Sequence, residues 1–127
     1  MWLLLDTHVL LWALRDDRQL GPEAREAIAN TQNPVYVSSA SVWEIALKRA
    51  LGKLEAPRDL VQWLRRTAFQ SLAIEIEHAV AAAELPRHHT DPFDRMLIAQ
   101  AQLQGLTLVT RDSRIAEYTV ALLDAAA

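Results

Sequence analysis

Short apolar runs alternate with segments of helical periodicity along the whole chain, and that alternation restricts the fold to an α/β arrangement around a mostly parallel sheet. Trp2 to Asp6 (WLLLD) is a brief apolar run closed by a turn-forming acid, as in a strand covered on both faces. A helix is expected from about Thr7 to Leu14. Gly21-Pro22 opens a second, with Pro22 suited to its first position and Ala24, Ala27 and Ile28 on one face. Pro34 to Ser38 (PVYVS) reads as the second strand by its valine and tyrosine content. Beyond it Trp43, Ala46, Leu47, Ala50 and Leu51 recur at helical spacing, which predicts a helix ending near Gly52 with that stripe toward the core. Another helix, starting near Pro57, carries Leu60, Trp63 and Leu64 inward.

In the second half, Leu72 to Ile76 (LAIEI) alternates with period two and predicts a strand, and His78 to Leu85 predicts a helix stopped by Pro86. Pro92 starts a helix that points Phe93, Met96, Leu97 and Ala101 at the core and ends at Gly105. Leu106 to Thr110 (LTLVT) is a buried strand, and Thr119 to Leu123 (TVALL) is the last. The tryptophans, Trp2, Trp12, Trp43 and Trp63, mostly fall on apolar-periodic positions and are assigned to core packing rather than base stacking. No linker or repeat interrupts the pattern, and the only low-complexity stretch is Ala125 to Ala127. Residues 1–127 are therefore read as a single domain, three layers deep, with helices on both faces of the sheet.

Composition removes several functional classes. The chain has no cysteine, so it has neither a disulfide framework nor a thiolate zinc site. Trp2 to Leu5 is too short for a signal segment or a membrane span, and a cytoplasmic protein without membrane contact is expected. The 13 basic residues are scattered and the formal net charge is −3, which argues against a charge-driven nucleic-acid coat.

Four carboxylates stand where such a fold would gather them. Asp6 follows the first strand, Asp112 follows LTLVT, and Glu44 and Asp94 are expected in first turns of helices. Ligands of open α/β sheets bind outside the carboxyl ends of the strands, and right-handed crossovers start their helices at that same edge. Acids without cysteine or paired histidines favour Mg²⁺ or Mn²⁺ and phosphate chemistry over zinc. Each acid also has a local explanation. Asp6 suits an N-cap, Ser41-Val42-Trp43-Glu44 reads as a capping box with Lys48 as surface partner, and Asp94 suits a helix start after an Asp91 cap. Asp112 suits a turn. His8, His88 and His89 are not counted as ligands, since histidines in polar loops are usually solvated. Arg95 and Arg111 neighbour proposed ligands and suit a phosphate.

DTHVLLW, SSASVWEIALK with a downstream GK, LPRHHTDPFDRMLIAQA and LVTRDSRIAEYTVALLDA, in this order over almost the whole chain, resemble PIN-domain ribonucleases of the VapC toxin type. The resemblance implies a three-layer α/β/α PIN-like domain acting as a metal-dependent endoribonuclease. Its Mg²⁺ or Mn²⁺ would be held by Asp6, Glu44, Asp94 and Asp112, with Thr110, and less directly Thr7, supporting the acids. It also implies an RNA substrate, a small VapB-type antitoxin that also binds operator DNA, a homodimer, and a toxin–antitoxin hetero-oligomer. The alternative is a PIN-like scaffold that binds RNA or protein without turnover. Another phosphate enzyme is disfavoured: His8 stands where an aspartate-nucleophile phosphatase has its second acid, Lys48 and Lys53 are the only lysines, and there is no P-loop.

Overall fold

Five short parallel strands set the architecture. The computed structural model describes residues 1–127, in which the chain runs β1 (Leu3–Leu5), α1 (Thr7–Arg15), α2 (Pro22–Ala29), β2 (Val35–Ser38), α3 (Ser39–Ala50), α4 (Leu60–Arg65), β3 (Gln70–Leu72), α5 (Ile76–Glu84), α6 (Pro92–Gln104), β4 (Thr107–Thr110), a 3₁₀ turn (Ser113–Glu117) and β5 (Leu122–Asp124). The sheet order is β3-β2-β1-β4-β5, and all four pairings are parallel. The chain builds outward from β1 on one side, then returns to build outward on the other. The order therefore reverses between β1 and β4, which opens a crevice at their carboxyl ends. In register, Leu5 lies beside Val37 and Val109, and the Asp6 N–H donates to the Val109 carbonyl at 3.1 Å.

Burial on both faces explains why three leucines suffice for the central strand. Leu3 and Leu5 join Val9, Leu10, Ala24, Ile45 and Leu60 in one core, while Leu4 joins Leu97, Ile98, Ala101 and Leu108 in the other. Each fully buried leucine contributes about 1.5–3 kcal/mol of transfer free energy, so the sheet is held mainly by the helices on its faces. No helix is long and apolar enough to cross a membrane.

Several elements differ from the sequence expectation. The third strand is Gln70–Leu72 rather than Leu72 to Ile76, because Tyr36 and Ser38 pair with Gln70 and Leu72. The period-two alternation beyond it is coincidental: Ile76 is 80% exposed and begins α5, where Glu75 and His78 form a capping box. The last strand is Leu122–Asp124 rather than Thr119 to Leu123, since the preceding segment first packs Ile115 and Tyr118 into the core. The helix expected near Pro57 begins at Leu60. In α3 the cap is Ser38, whose Oγ accepts from the Ala40 N–H at 3.0 Å, so Ser41 and Glu44 form no capping box and Glu44 lies in the second turn.

The larger correction concerns which face of α3 is covered. Trp43, Ala46, Leu47, Ala50 and Leu51 are exposed, and Ala40, Ser41, Glu44 and Ile45 are buried. Two stripes at 3.6-residue spacing compete here, and the less apolar one turns inward, where Ile45 joins the core and Thr7 and Lys48 satisfy the buried Glu44 carboxylate. The tryptophan assignment fails similarly: Trp2 and Trp43 are exposed, and Trp12 and Trp63 only half-buried. The alanine-rich end is part of the fold. Ala125 is fully buried, and the Ala127 carbonyl accepts the orphan N–H groups of Glu23 and Ala24 at the start of α2.

Candidate active site

The crevice at the reversal point is a cavity of about 510 Å³, lined by Asp6, Glu44, Asp94 and Asp112 together with Thr7, His8, Trp12, Gln19, Lys48, Asp91, Arg111 and Arg114. All four proposed acids thus reach one space, each from a different element.

Asp6 ends the β1 segment and caps α1, with its Oδ1 accepting from the Val9 N–H at 2.8 Å. Capping uses one oxygen and leaves the carboxylate at the cavity wall, so its local and site roles coexist. Burial raises the Asp6 pKa, a hydrogen bond with the Thr110 side chain opposes that shift, and the charge of Glu44 adds to it. Glu44 is buried, accepts from the Thr7 hydroxyl at 2.6 Å and pairs with Lys48 one helical turn on. That ion pair in turn raises the Lys48 pKa. Asp94 lies in the first turn of α6, behind Asp91, whose Oδ1 accepts from the N–H groups of Phe93 and Asp94 at 2.8 and 3.2 Å.

The electrostatics separate the acids. Burial, reinforced by the charges of Asp91, Asp6 and Glu44 and opposed by His89, pushes the Asp94 pKa up to about 7. Asp112 is the reverse. Hydrogen bonds from Arg114, with a smaller one from His89, pull it down to about 2 against a modest desolvation cost. Arg114 makes a fork: Nε donates to Asp112 Oδ1 at 3.1 Å and Nη2 to Oδ2 at 2.8 Å. Thr110 ties two acids together, since it bonds Asp6 and its Oγ1 accepts from the Asp112 N–H at 3.1 Å.

The two arginines part company. Arg111 lines the cavity with its guanidinium 5.5 Å from the Trp12 ring centroid, and Trp12 stacks with His8 at 6.3 Å. Arg95 faces away from the acids. Its terminal nitrogens donate to the carbonyls of Ala83, Leu85, Pro86 and His89, so the phosphate contact expected of it is replaced by a loop-holding role.

His89 is the residue that sequence reasoning undervalued. It is buried, and its Nε2 lies 2.9 Å from Asp94 Oδ2 and 3.1 Å from Asp112 Oδ2. His89, Asp94 and Asp112 offer ligand-type atoms all within 4.8 Å of one another. The available signal was position, because His89 stands two residues before the Asp91 cap and five before Asp94. His88 is different: it is exposed, pairs with Glu117 at 3.2 Å and packs edge-on to Tyr118. Arg114 was also missed, and nothing in its local sequence marks it beyond its place two residues after Asp112.

Relatives share this architecture. The family model described as PIN domain matches residues 3–121. The chain is 30% identical over 118 residues to Ribonuclease VapC22 of Mycobacterium tuberculosis, covering 91% of this chain and 90% of that protein. In fold it is similar to VapBC2 from Rickettsia felis bound to a DNA fragment from their promoter, with a TM-score of 0.71 at 16% identity over 97% of this chain and 98% of that one. DNA-bound VapBC from Salmonella typhimurium matches with a TM-score of 0.69 at 22% identity over 98% of each chain. By the family-model match and the 30% identity over 91% of its length, the chain belongs to the PIN-domain family and is of the VapC type.

Proposed function

We propose that this protein is a divalent-metal-dependent endoribonuclease toxin, restrained by a small VapB-type antitoxin. One observation carries the reading: four acids from separate elements line one cavity, where burial and mutual repulsion hold Asp94 protonated up to about pH 7. Such crowding of negative charge calls for a counter-cation. The carboxylate oxygens suit a hard ion, Mg²⁺ or Mn²⁺, with Asp6, Glu44, Asp94 and Asp112 as the residues to hold it. Held by these residues, a divalent cation would supply charge stabilisation at the phosphoryl group and would lower the pKa of a water.

The chain's own groups divide the remaining work. Thr7 and Lys48 fix the Glu44 carboxylate, and Thr110 orients Asp6 and the loop bearing Asp112. Arg111 is placed to take a phosphate, and the Trp12 ring offers a face for a base. Thr7, the only hydroxyl lining the cavity, donates to Glu44 and is not free to attack; with water as the proposed nucleophile, 5′-phosphate and 3′-hydroxyl ends are the proposed products.

The antitoxin reading is supported by the VapBC complexes among the similar structures and by a surface on this chain. The exposed stripe of α3 borders an apolar groove of about 330 Å³ lined by Val37, Val42, Trp43, Ala46, Leu64 and Phe69. An apolar segment of an antitoxin would cover it.

The test is cleavage of total RNA by antitoxin-free protein with Mg²⁺, Mn²⁺ or EDTA, comparing wild type with Asp6→Asn and Asp94→Asn. Metal-dependent cutting that both substitutions reduce by about 100-fold or more is expected, the scale of losing one preorganised electrostatic group. RNA binding without cutting would instead favour a scaffold, and 2′,3′-cyclic phosphate ends would indicate attack by the ribose hydroxyl.

A further inference from the structure

By distance alone His89, Asp94 and Asp112 form a ligand set for a metal ion, yet the hydrogen bonds around the imidazole assign it another task. The Asp91 backbone N–H, which can only donate, points at His89 Nδ1 at 3.2 Å. Nδ1 is therefore the unprotonated nitrogen, and the ring proton sits on Nε2. That proton is donated to Asp112 Oδ2 at 3.1 Å, while Asp94 Oδ2 lies 2.9 Å from the same nitrogen. An Nε2 that carries a proton has no lone pair for a metal, and the Nδ1 lone pair is engaged by the main chain.

The ring is held in this orientation from several sides. The Tyr118 hydroxyl accepts from the His89 N–H at 2.9 Å and donates to the Pro86 carbonyl at 2.7 Å. Arg95 Nη1 donates to the His89 carbonyl at 3.1 Å and to the Pro86 carbonyl at 3.0 Å. Both backbone groups of a buried residue are thus satisfied by side chains from β5-side and α6 segments, which leaves the loop little freedom to turn the imidazole. Asp112 is in turn saturated by donors, with the Arg114 fork on both oxygens and His89 on one. Asp94, in contrast, has only its Oδ2 beside His89, and its Oδ1 receives no hydrogen bond from the protein, at a residue that lines the cavity.

We infer that His89 is a positioning residue, an Nε2–H donor that anchors to Asp112 and draws Asp94 Oδ2 toward it, leaving Asp94 Oδ1 for the metal. The four acids are then unequal: Asp94 is a direct ligand, and Asp112 acts as the anchor that His89 and Arg114 lean on. The inference rests on the metal-site reading above and narrows it: Asp112, counted there among the residues that hold the metal, becomes the anchor, and Asp94 binds through Oδ1.

Three measurements on the full chain test it. In the metal-free protein, long-range ¹H–¹⁵N correlation spectra, with the His89 ring identified by its loss in His89→Gln, should show the Nε2–H form; the Nδ1–H form would overturn the inference. In Mn²⁺-loaded protein, pulsed electron paramagnetic resonance should show no directly bound imidazole nitrogen that His89→Gln removes; because His8 also lines the cavity, only a nitrogen signal lost in His89→Gln would make His89 a ligand after all. Mn²⁺ titration should show affinity weakened roughly 10- to 100-fold in His89→Leu, the usual cost of losing an outer partner of a ligand. In His89→Gln, which keeps a side-chain N–H donor, most of that loss should be recovered. Thermal melts establish that each variant is folded, and a merely structural histidine would leave Mn²⁺ affinity unchanged in folded His89→Leu, which contradicts the inference, as would equal losses in both variants. If wild type binds no Mn²⁺, the metal-site reading itself fails, and the spectra still report the tautomer separately.

Discussion

Asp94 shows how a single carboxyl reports on its surroundings. The folded protein holds its proton up to about pH 7, whereas the unfolded chain releases it near 3.8. Between those values the folded state binds more protons, so stability falls as pH rises through the window. Asp112 works in the opposite sense: its folded value of about 2 gives a contribution that is complete above the unfolded value and lost as pH drops toward 2. Metal-free wild type should therefore lose stability from this site between pH 3.8 and about pH 7, and both Asp94→Asn and added Mg²⁺ should flatten that slope. At ~1.4 kcal/mol per pKa unit the effect is at most a few kcal/mol, reduced by the partial exposure of Asp94. Urea midpoints in EDTA at the two pH values measure it, and an unchanged slope in Asp94→Asn would assign the effect elsewhere. Trp12 gives a second residue-level prediction. Trp12→Leu keeps an apolar group against the core but removes a stacking face worth about 1–3 kcal/mol per base, so KM for RNA should rise by roughly 5- to 100-fold with kcat little changed. A fall in kcat at constant KM would place Trp12 outside substrate binding.

Among elements, α3 depends most on its first residues. Ser38 Oγ caps the helix through the Ala40 N–H and donates to Gln100 Oε1 at 2.6 Å, joining the helix that carries Glu44 to the helix that carries Asp94. Ser38→Ala removes the cap and leaves a buried amide oxygen unpaired, with an expected loss of about 1–3 kcal/mol in urea unfolding. A loss below ~0.5 kcal/mol would mean that water or a shifted Gln100 replaces the hydroxyl. Element types, the starts of α1, α2 and α6 and the end of α6 could be read from the sequence because Asp6, Pro22, Pro92 and Gly105 punctuate it chemically, whereas the starts of α3, α4 and α5 could not. Nor could the inward face of α3. Hydropathy ranks Trp43, Leu47 and Leu51 above Ser41 and Glu44, while the fold buries Ser41 and Glu44 and leaves the other three exposed. The role of His89 was hidden for a related reason, since Tyr118 and Arg95, which hold its loop, are distant from it in sequence or easily taken for surface groups.

At the level of the whole molecule, the strand order brings Asp6 and Asp112 to one edge, and Ala125 to Ala127 pack against the start of α2. A Cβ on Gly21 would lie 2.0 Å from the Ala127 carbonyl oxygen, and the Gly21 N–H donates to the Ala125 carbonyl at 2.8 Å. Gly21→Ala should therefore cost about 1–3 kcal/mol by overpacking. Removing Ala125 to Ala127 from the same background should abolish that clash cost while imposing its own loss from the exposed α2 start. Thermal melts of the single and combined variants read both effects. The parallel three-layer plan and the meeting of four acids were legible because alternation and strand-end position fix them. The packing of the C-terminus was not, since three alanines carry no pattern to read. The proposed nuclease activity turns on whether a metal binds in the crevice. Crystals grown with Mn²⁺ should give an anomalous-scattering peak in the crevice bounded by Asp6 and Asp94, and that peak should vanish in Asp94→Asn. Manganese bound elsewhere with an empty crevice, or an unchanged peak in the variant, would contradict the metal-centred nuclease described above.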